Sequence, residues 1–135
     1  MDTALVTTLQ GVQDFFLMKA REILSRMNNA RVLKTDAWNE VMGDVNGFKT
    51  VPIARQLPNV ASMQIIEVRQ DRAMKAQWMY SNLSVEVLNE DLRQHEFEKE
   101  KFDCILDLST ISYVQFTDAR SIINKYFSAL KPDGI

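Results

Sequence analysis

Carboxylates stand at or just past the end of each β-prone run in this 135-residue chain: Asp36 and Glu40 after the first, Glu67 at the second, Glu90 and Asp91 after the third, Asp107 near the end of the fourth. An ionised carboxylate only accepts hydrogen bonds, and a charge-assisted contact to a pair of hydroxyls is one that neutral side chains make less well. Glu67 is placed to bind both hydroxyls of a ribose, or equally to cap a helix beginning near Gln70. Asp36 and Asn39 stand as residues ahead of Glu40 would in a helix cap.

Other chemistry is thinly supplied. The single cysteine, Cys104, forms no intramolecular disulfide, and with the single histidine, His95, it falls short of a zinc site of three or four such ligands. No metal site is expected, and a reducing, cytoplasmic setting fits. His95 lies in a charged connection and reads as a solvated residue, whereas Cys104 is mid-strand and reads as a small core residue. Lys and Arg total 16 against 18 Asp and Glu, a net charge of -2 that argues against nucleic acid or an anionic membrane surface as partner. Lys19, Arg21 and Arg26 interrupt the most apolar stretch, so no membrane span is expected. Met1-Asp2-Thr3 carries no basic region of a secretion signal, and the mature chain is expected to start near Met1.

The elements that must position these acids follow from periodicity. Leu5, Leu9, Val12, Phe16, Ala20, Ile23, Leu24 and Met27 recur in steps suited to one face of a long helix, capped by Asp2 or Thr3 and stopped by Asn28-Asn29. Residues 30–35 form the first strand. Residues 36–50, with Gly43 and Gly47, form a loop or a loop with one helical turn, and residues 51–57 a short helix with Pro52 in its first turn and Thr50 as cap. Residues 63–68 are a second strand, apolar on both faces as parallel strands between helices tend to be.

Residues 70–82 make a helix with Ala73, Met74, Ala76, Trp78 and Met79 inward and Arg72 and Lys75 toward water. A third strand spans 84–88, a solvated connection 89–101, and a fourth strand 102–108. The last helix, 118–130, places Ile122, Ile123, Tyr126, Phe127 and Leu130 at helical spacing. Such alternation predicts an α/β fold, a doubly wound parallel sheet with helices on both faces. In such sheets ligands bind beyond the carboxyl ends of the strands, where the acids collect.

The order of motifs resembles the class I S-adenosylmethionine-dependent methyltransferases over about residues 30–135. Ile66-Glu67-Val68 with Ala76 nine residues after the acid is similar to that family's second-strand acid and helix alanine. Val85-Glu86-Val87-Leu88-Asn89-Glu90-Asp91 resembles its third strand ending in an acid, Phe102-Asp103-Cys104-Ile105-Leu106 its "FD" strand, and Leu130-Lys131-Pro132-Asp133-Gly134 its "LKPGG" turn. The resemblance implies a Rossmann-like sheet of strand order 3-2-1-4 and S-adenosyl-L-methionine as cofactor. It implies that Glu67, beside Val68, holds the ribose and that Glu90 and Asp91 read the adenine amino group. Residues 107–113, with Asp107 and Ser109, would face the methyl group and an unidentified acceptor. Holding the acceptor in line with the methyl group requires no nucleophilic triad.

Two departures stand out. Val32-Leu33-Lys34-Thr35-Asp36-Ala37-Trp38 has no glycine where the family has a Gly-rich turn that lets backbone approach the cofactor. Either Asp36, Asn39 and Glu40 contact the methionine ammonium from a remodelled loop, or cofactor binding has been lost. The chain also stops one residue past the "LKPGG"-like turn, before the strands that would complete the sheet. The expected organisation is therefore an N-terminal helix, residues 1–29, packed on the cofactor-binding part of a methyltransferase-like domain, residues 30–135. The early stop is expected to leave the fourth strand an unprotected edge, with Cys104, Ile105 and Leu106 facing nothing. It would invite self-association or a partner, with little methyl transfer by the chain alone. The alternatives are a non-catalytic scaffold of the same fold and, with no G-x-G-x-x-G after the first strand to support it, a dinucleotide-binding oxidoreductase.

Overall fold

A computed structural model describes residues 3–45, 47–108 and 110–135; the expected cap Asp2, the candidate site residue Ser109 and the side chain of Leu5 lie outside what it describes. Four helices, α1 (Thr3–Leu24), α2 (Trp38–Val41), α3 (Gln70–Met79) and α4 (Phe116–Ala129), alternate with strands β1 (Ala30–Lys34), β2 (Asp44–Val45), β3 (Phe48–Lys49), β4 (Val60–Ile66), β5 (Val85–Leu88) and β6 (Cys104–Leu106). The main sheet is parallel with order β5-β4-β1-β6, which for its four strands is the expected 3-2-1-4. From β1 the chain crosses to β4 and β5 on one side and then returns to β6 on the other. The crossovers therefore diverge at β1, the switch point beyond whose carboxyl end ligands bind in such sheets.

Alternate residues of the strands serve two cores. Val32, Met63, Ile65, Val87, Cys104 and Leu106 pack with Ala20 and Leu24 of α1 and Ala73, Ala76 and Tyr80 beside α3. Leu33, Ile66 and Phe102 pack on the other face with Ile122 and Ala129 of α4. That second layer is partial. Residues 89–101 contain turns but no helix, so Arg31, Ser62 and Glu86 stay exposed on the β1–β4–β5 face, and Gln64 donates to Glu86 across it (2.8 Å). Only the second half of β4 is apolar on both faces as expected.

Several local expectations are corrected. Gln13, not Val12, turns inward on α1, because its amide bonds the Lys49 carbonyl and the Val51 N–H (2.9 and 3.0 Å). Met74 and Trp78 of α3 face solvent, Trp78 at 80% exposure, and Tyr80 just past the helix is buried instead. Ile123 and Phe127 likewise lie on the outer side of α4. Residues 51–57 narrow to a 3-10 turn, Ile53–Gln56, and Thr50 bonds the Gly43 carbonyl rather than capping it. The hairpin β2–β3 pivots on Gly47, whose φ of +89° favours a residue without Cβ. Asn29 and Asn59, both left-handed, lead into β1 and β4, and Asn59 closes α1 by donating to the Leu24 carbonyl (3.2 Å).

The expected bare edge is also corrected. Cys104 and Leu106 are buried under the helical layer, and burial pushes the Cys104 thiol up to about 11 with a contribution from Asp103. On the outer side of β6, Ile135 donates to the Asp103 carbonyl (3.0 Å) and accepts from the Ile105 N–H (2.9 Å).

Candidate functional site

Lys34 ends β1. Because β1 is central, its side chain is only 2% exposed, and a buried ammonium needs partners. Its Nζ donates to the Asp36 carbonyl (2.6 Å) and Oδ1 (3.3 Å) and lies 3.6 Å from Glu40 Oε1. Glu40 sits on α2, whose single turn folds the chain back so that this carboxylate points beneath β1. Its Oε2 accepts from the Tyr80 hydroxyl and the Ala54 N–H, while its buried Oε1 has no hydrogen-bond partner. Burial and then the Glu40 charge push the Tyr80 phenol far above its ordinary value, so it stays a donor.

Asp36 ties the ends of β1 and β6 together. Its Oδ1 accepts from the Trp38 N–H (2.9 Å), which starts α2, and its Oδ2 accepts from the Thr110 hydroxyl (2.8 Å). Thr35 donates in turn to Thr110 (2.9 Å). Burial works to raise the Asp36 carboxyl, but the Lys34 ammonium, the Thr110 hydroxyl and the Trp38 N–H outweigh it and hold it below the usual range. Beside them Asp107 accepts from the Tyr126 hydroxyl (2.7 Å) and the Ile111 N–H (3.2 Å); burial and that carboxylate raise the Tyr126 phenol.

Glu67 follows β4 directly and is 2% exposed. Its Oε1 accepts from the Arg69 N–H at the entry to α3, so it does anchor that helix, and its Oε2 accepts from the Ala37 N–H (both 2.9 Å). Past β5, Asn89 donates to the carbonyls of Glu67 and Val68 (2.9 and 3.0 Å), leaving the Val68 side chain exposed. Glu90 pairs with His95 Nδ1, and Asp91 with Arg93, which lowers the Asp91 carboxyl. His95 is thus not the solvated residue expected from its charged surroundings: its ring also meets Phe97 edge-on (4.8 Å between centroids).

The fold brings Asp36, Glu40, Glu67 and Asp107 to the crevice around β1. Asn39 is directed elsewhere, its amide donating to Gln13 of α1 (2.7 Å). Glu90 and Asp91 lie at the β5 side. Lys34, Thr35, Tyr80, Thr110 and Tyr126 join the site without having been anticipated. Only Lys34 carried a signal, a lysine in an apolar run that a central parallel strand must bury. Among the described residues, no three His, Cys, Asp or Glu are grouped to hold a metal ion.

A doubly wound parallel sheet with carboxylates gathered at its switch point defines a Rossmann-like ligand-binding domain. The chain belongs to the methyltransferase domain family, whose model matches residues 41–134. The match begins within α2, so β1 and its turn precede it. No curated protein matches. Solved structures with the same fold include a SAM-dependent methyltransferase from Leishmania major (15% identity, 92% of this chain, 48% of that chain, TM-score 0.70). Another is 1,6-didemethyltoxoflavin-N1-methyltransferase from Burkholderia thailandensis with bound S-adenosylhomocysteine (14%, 96%, 52%, TM-score 0.69). A third is the N-methyltransferase NodS from Bradyrhizobium japonicum, in complex with S-adenosylhomocysteine (17%, 87%, 55%, TM-score 0.66). The chain spans about half the length of these proteins.

Proposed function

We propose that this chain is the cofactor-binding portion of an S-adenosylmethionine-dependent methyltransferase, acting on an acceptor still to be identified. The observation that carries this reading is Glu67, an acid at the end of β4 beside the switch point, in a chain of the methyltransferase family. The donor set suits such a cofactor. A carboxylate has about four lone-pair sites and Glu67 uses two, which leaves acceptor capacity for hydroxyls. The orphan Glu40 Oε1 and the surplus of carboxylates over Lys34 suit a ligand carrying positive charge. When bound, the cofactor supplies an electrophilic methyl on its sulfonium. The chain's own part is to bind and orient it: Glu67 on the ribose once the Ala37 turn yields, Val68 against the adenine, and Glu90 and Asp91 toward its amino group. Asp36 and Glu40 serve the methionine end. Asp107 lies toward the acceptor.

Residues 1–29 act in this reading as an N-terminal helix packed on a cofactor-binding unit of residues 30–135. A cytoplasmic setting is proposed on the basis of the one cysteine being free and buried. No helix among the described residues is long and apolar enough to cross a membrane.

One observation favours a second reading, a non-catalytic methyltransferase-like subunit. The turn after β1 has no glycine, and its Ala37 N–H already occupies Glu67. Calorimetry with S-adenosylmethionine, S-adenosylhomocysteine and NAD separates the two. Binding of the first two without NAD supports the methyltransferase; binding of none leaves the scaffold.

A further inference from the structure

Around the carboxyl end of β1 a single buried ammonium lies among four carboxylates, Asp36, Glu40, Glu67 and Asp107. Lys34 neutralises part of the charge of Asp36 and Glu40, and the Ala37 N–H joins that turn to Glu67. Arg69 also lies near Glu67, but it is exposed and paired with Asp71, where water and salt screen it. Lys34 is enclosed, so its charge acts through a weaker dielectric on whatever enters the crevice above it.

We propose that Lys34 is a specificity-determining residue, setting how strongly the crevice prefers a sulfonium ligand over its neutral thioether, S-adenosylmethionine over S-adenosylhomocysteine. This inference rests on the cofactor reading above. The two ligands differ by one methyl group and one unit of charge. Contacts to ribose and adenine are common to both, so the ratio of their affinities isolates the charge of the site. With Lys34 in place these four carboxylates exceed the buried cation by three charges; without it they exceed it by four. Against burial, the Lys34 ammonium, the Thr110 hydroxyl and the Trp38 N–H hold the Asp36 carboxyl below its usual range, and Tyr80 remains a neutral donor to Glu40. Glu40 Oε1, buried and without a hydrogen-bond partner, leaves one carboxylate lobe uncommitted except to Lys34.

The test is calorimetric and needs no methyl acceptor. Both ligands are titrated into the 135-residue chain and into the Lys34→Met, Glu40→Gln and double variants, with circular dichroism to establish folding. Lys34→Met should raise the preference for S-adenosylmethionine about threefold or more, the order expected for one unit charge acting over ~10 Å in a partly screened site. Glu40→Gln keeps an acceptor for Tyr80 but removes one negative charge, and should shift the preference the opposite way. The double variant should return it to the starting value. A ratio that stays constant across all variants that fold overturns the role of Lys34 and leaves the cofactor reading intact. If the unsubstituted chain binds neither ligand, the cofactor reading falls and this inference with it. Should Lys34→Met fail to fold, Glu40→Gln alone decides, because a purely structural role would move both affinities together.

Discussion

The backbone N–H of Ala37 donates to Glu67 Oε2 at 2.9 Å, joining the turn after β1 to the acid after β4. A side chain that family resemblance reserves for a ligand is here also a fastening between two crossovers. Occupation by a ligand and the position of that turn are therefore coupled through one carboxylate.

Glu67→Ala should weaken S-adenosylmethionine binding by roughly 1.5–3 kcal/mol, the scale of a charge-assisted hydrogen bond. Because the Ala37 and Arg69 N–H groups lose their acceptor as well, the melting temperature should fall. A folded variant with unchanged affinity would remove Glu67 from the ribose.

Tyr80→Phe keeps the ring and deletes the one hydroxyl that donates to Glu40. Leaving a buried carboxylate oxygen short of a donor costs about 1–3 kcal/mol, which urea denaturation can measure. Stability equal to the parent would mean that water reaches Glu40 after all.

Asp36 gives the acid limb of stability. Its carboxyl is held below the unfolded value, near 3.9, so its contribution is complete above that value and is lost as pH falls through the lower, folded one. Asp36→Asn should therefore lower the urea midpoint at pH 7 more than at pH 2. Equal losses at the two pH values would show that the carboxylate's charge is not what stabilises this turn.

At the outer edge of β6, Ile135 pairs with Asp103 and Ile105, while Ile123 and Phe127 of α4 are exposed. Because Ile135 already occupies that edge, self-association is expected through the exposed Ile123 and Phe127 face of α4 instead, and sedimentation at several concentrations should show it. Phe127→Lys should weaken the association. A monomer at every concentration would contradict it.

Periodicity made the alternation of helices and strands legible, and with it the parallel sheet and the crevice, because alternating burial leaves its mark on every residue of a strand. It did not reveal β2 and β3, since two residues per strand make no pattern. Nor did it tell Trp78 from Ala76, because composition says a helix has an apolar side without saying how far the neighbouring layer extends. In the site, Glu67, Asp36, Glu40 and Asp107 were legible because strand ends collect ligand-facing groups in such sheets. Tyr80 and Thr110 were not: they reach the crevice from residues distant in sequence, through contacts that no local spacing encodes. Asn39 had a suitable type and place, yet its amide serves Gln13.

The helix-free stretch 89–101 bears on the order in which the molecule opens. β5 is joined along one edge only, to β4, and is covered on one face only, so it is the strand with least to lose by fraying. Its amides should exchange with deuterium ahead of those of β1. As β5 lifts away it carries off Asn89 and the two hydrogen bonds that grip the carbonyls of Glu67 and Val68. The β5 side of the crevice would then be the part that breathes, on a timescale apart from the charge-locked end of β1.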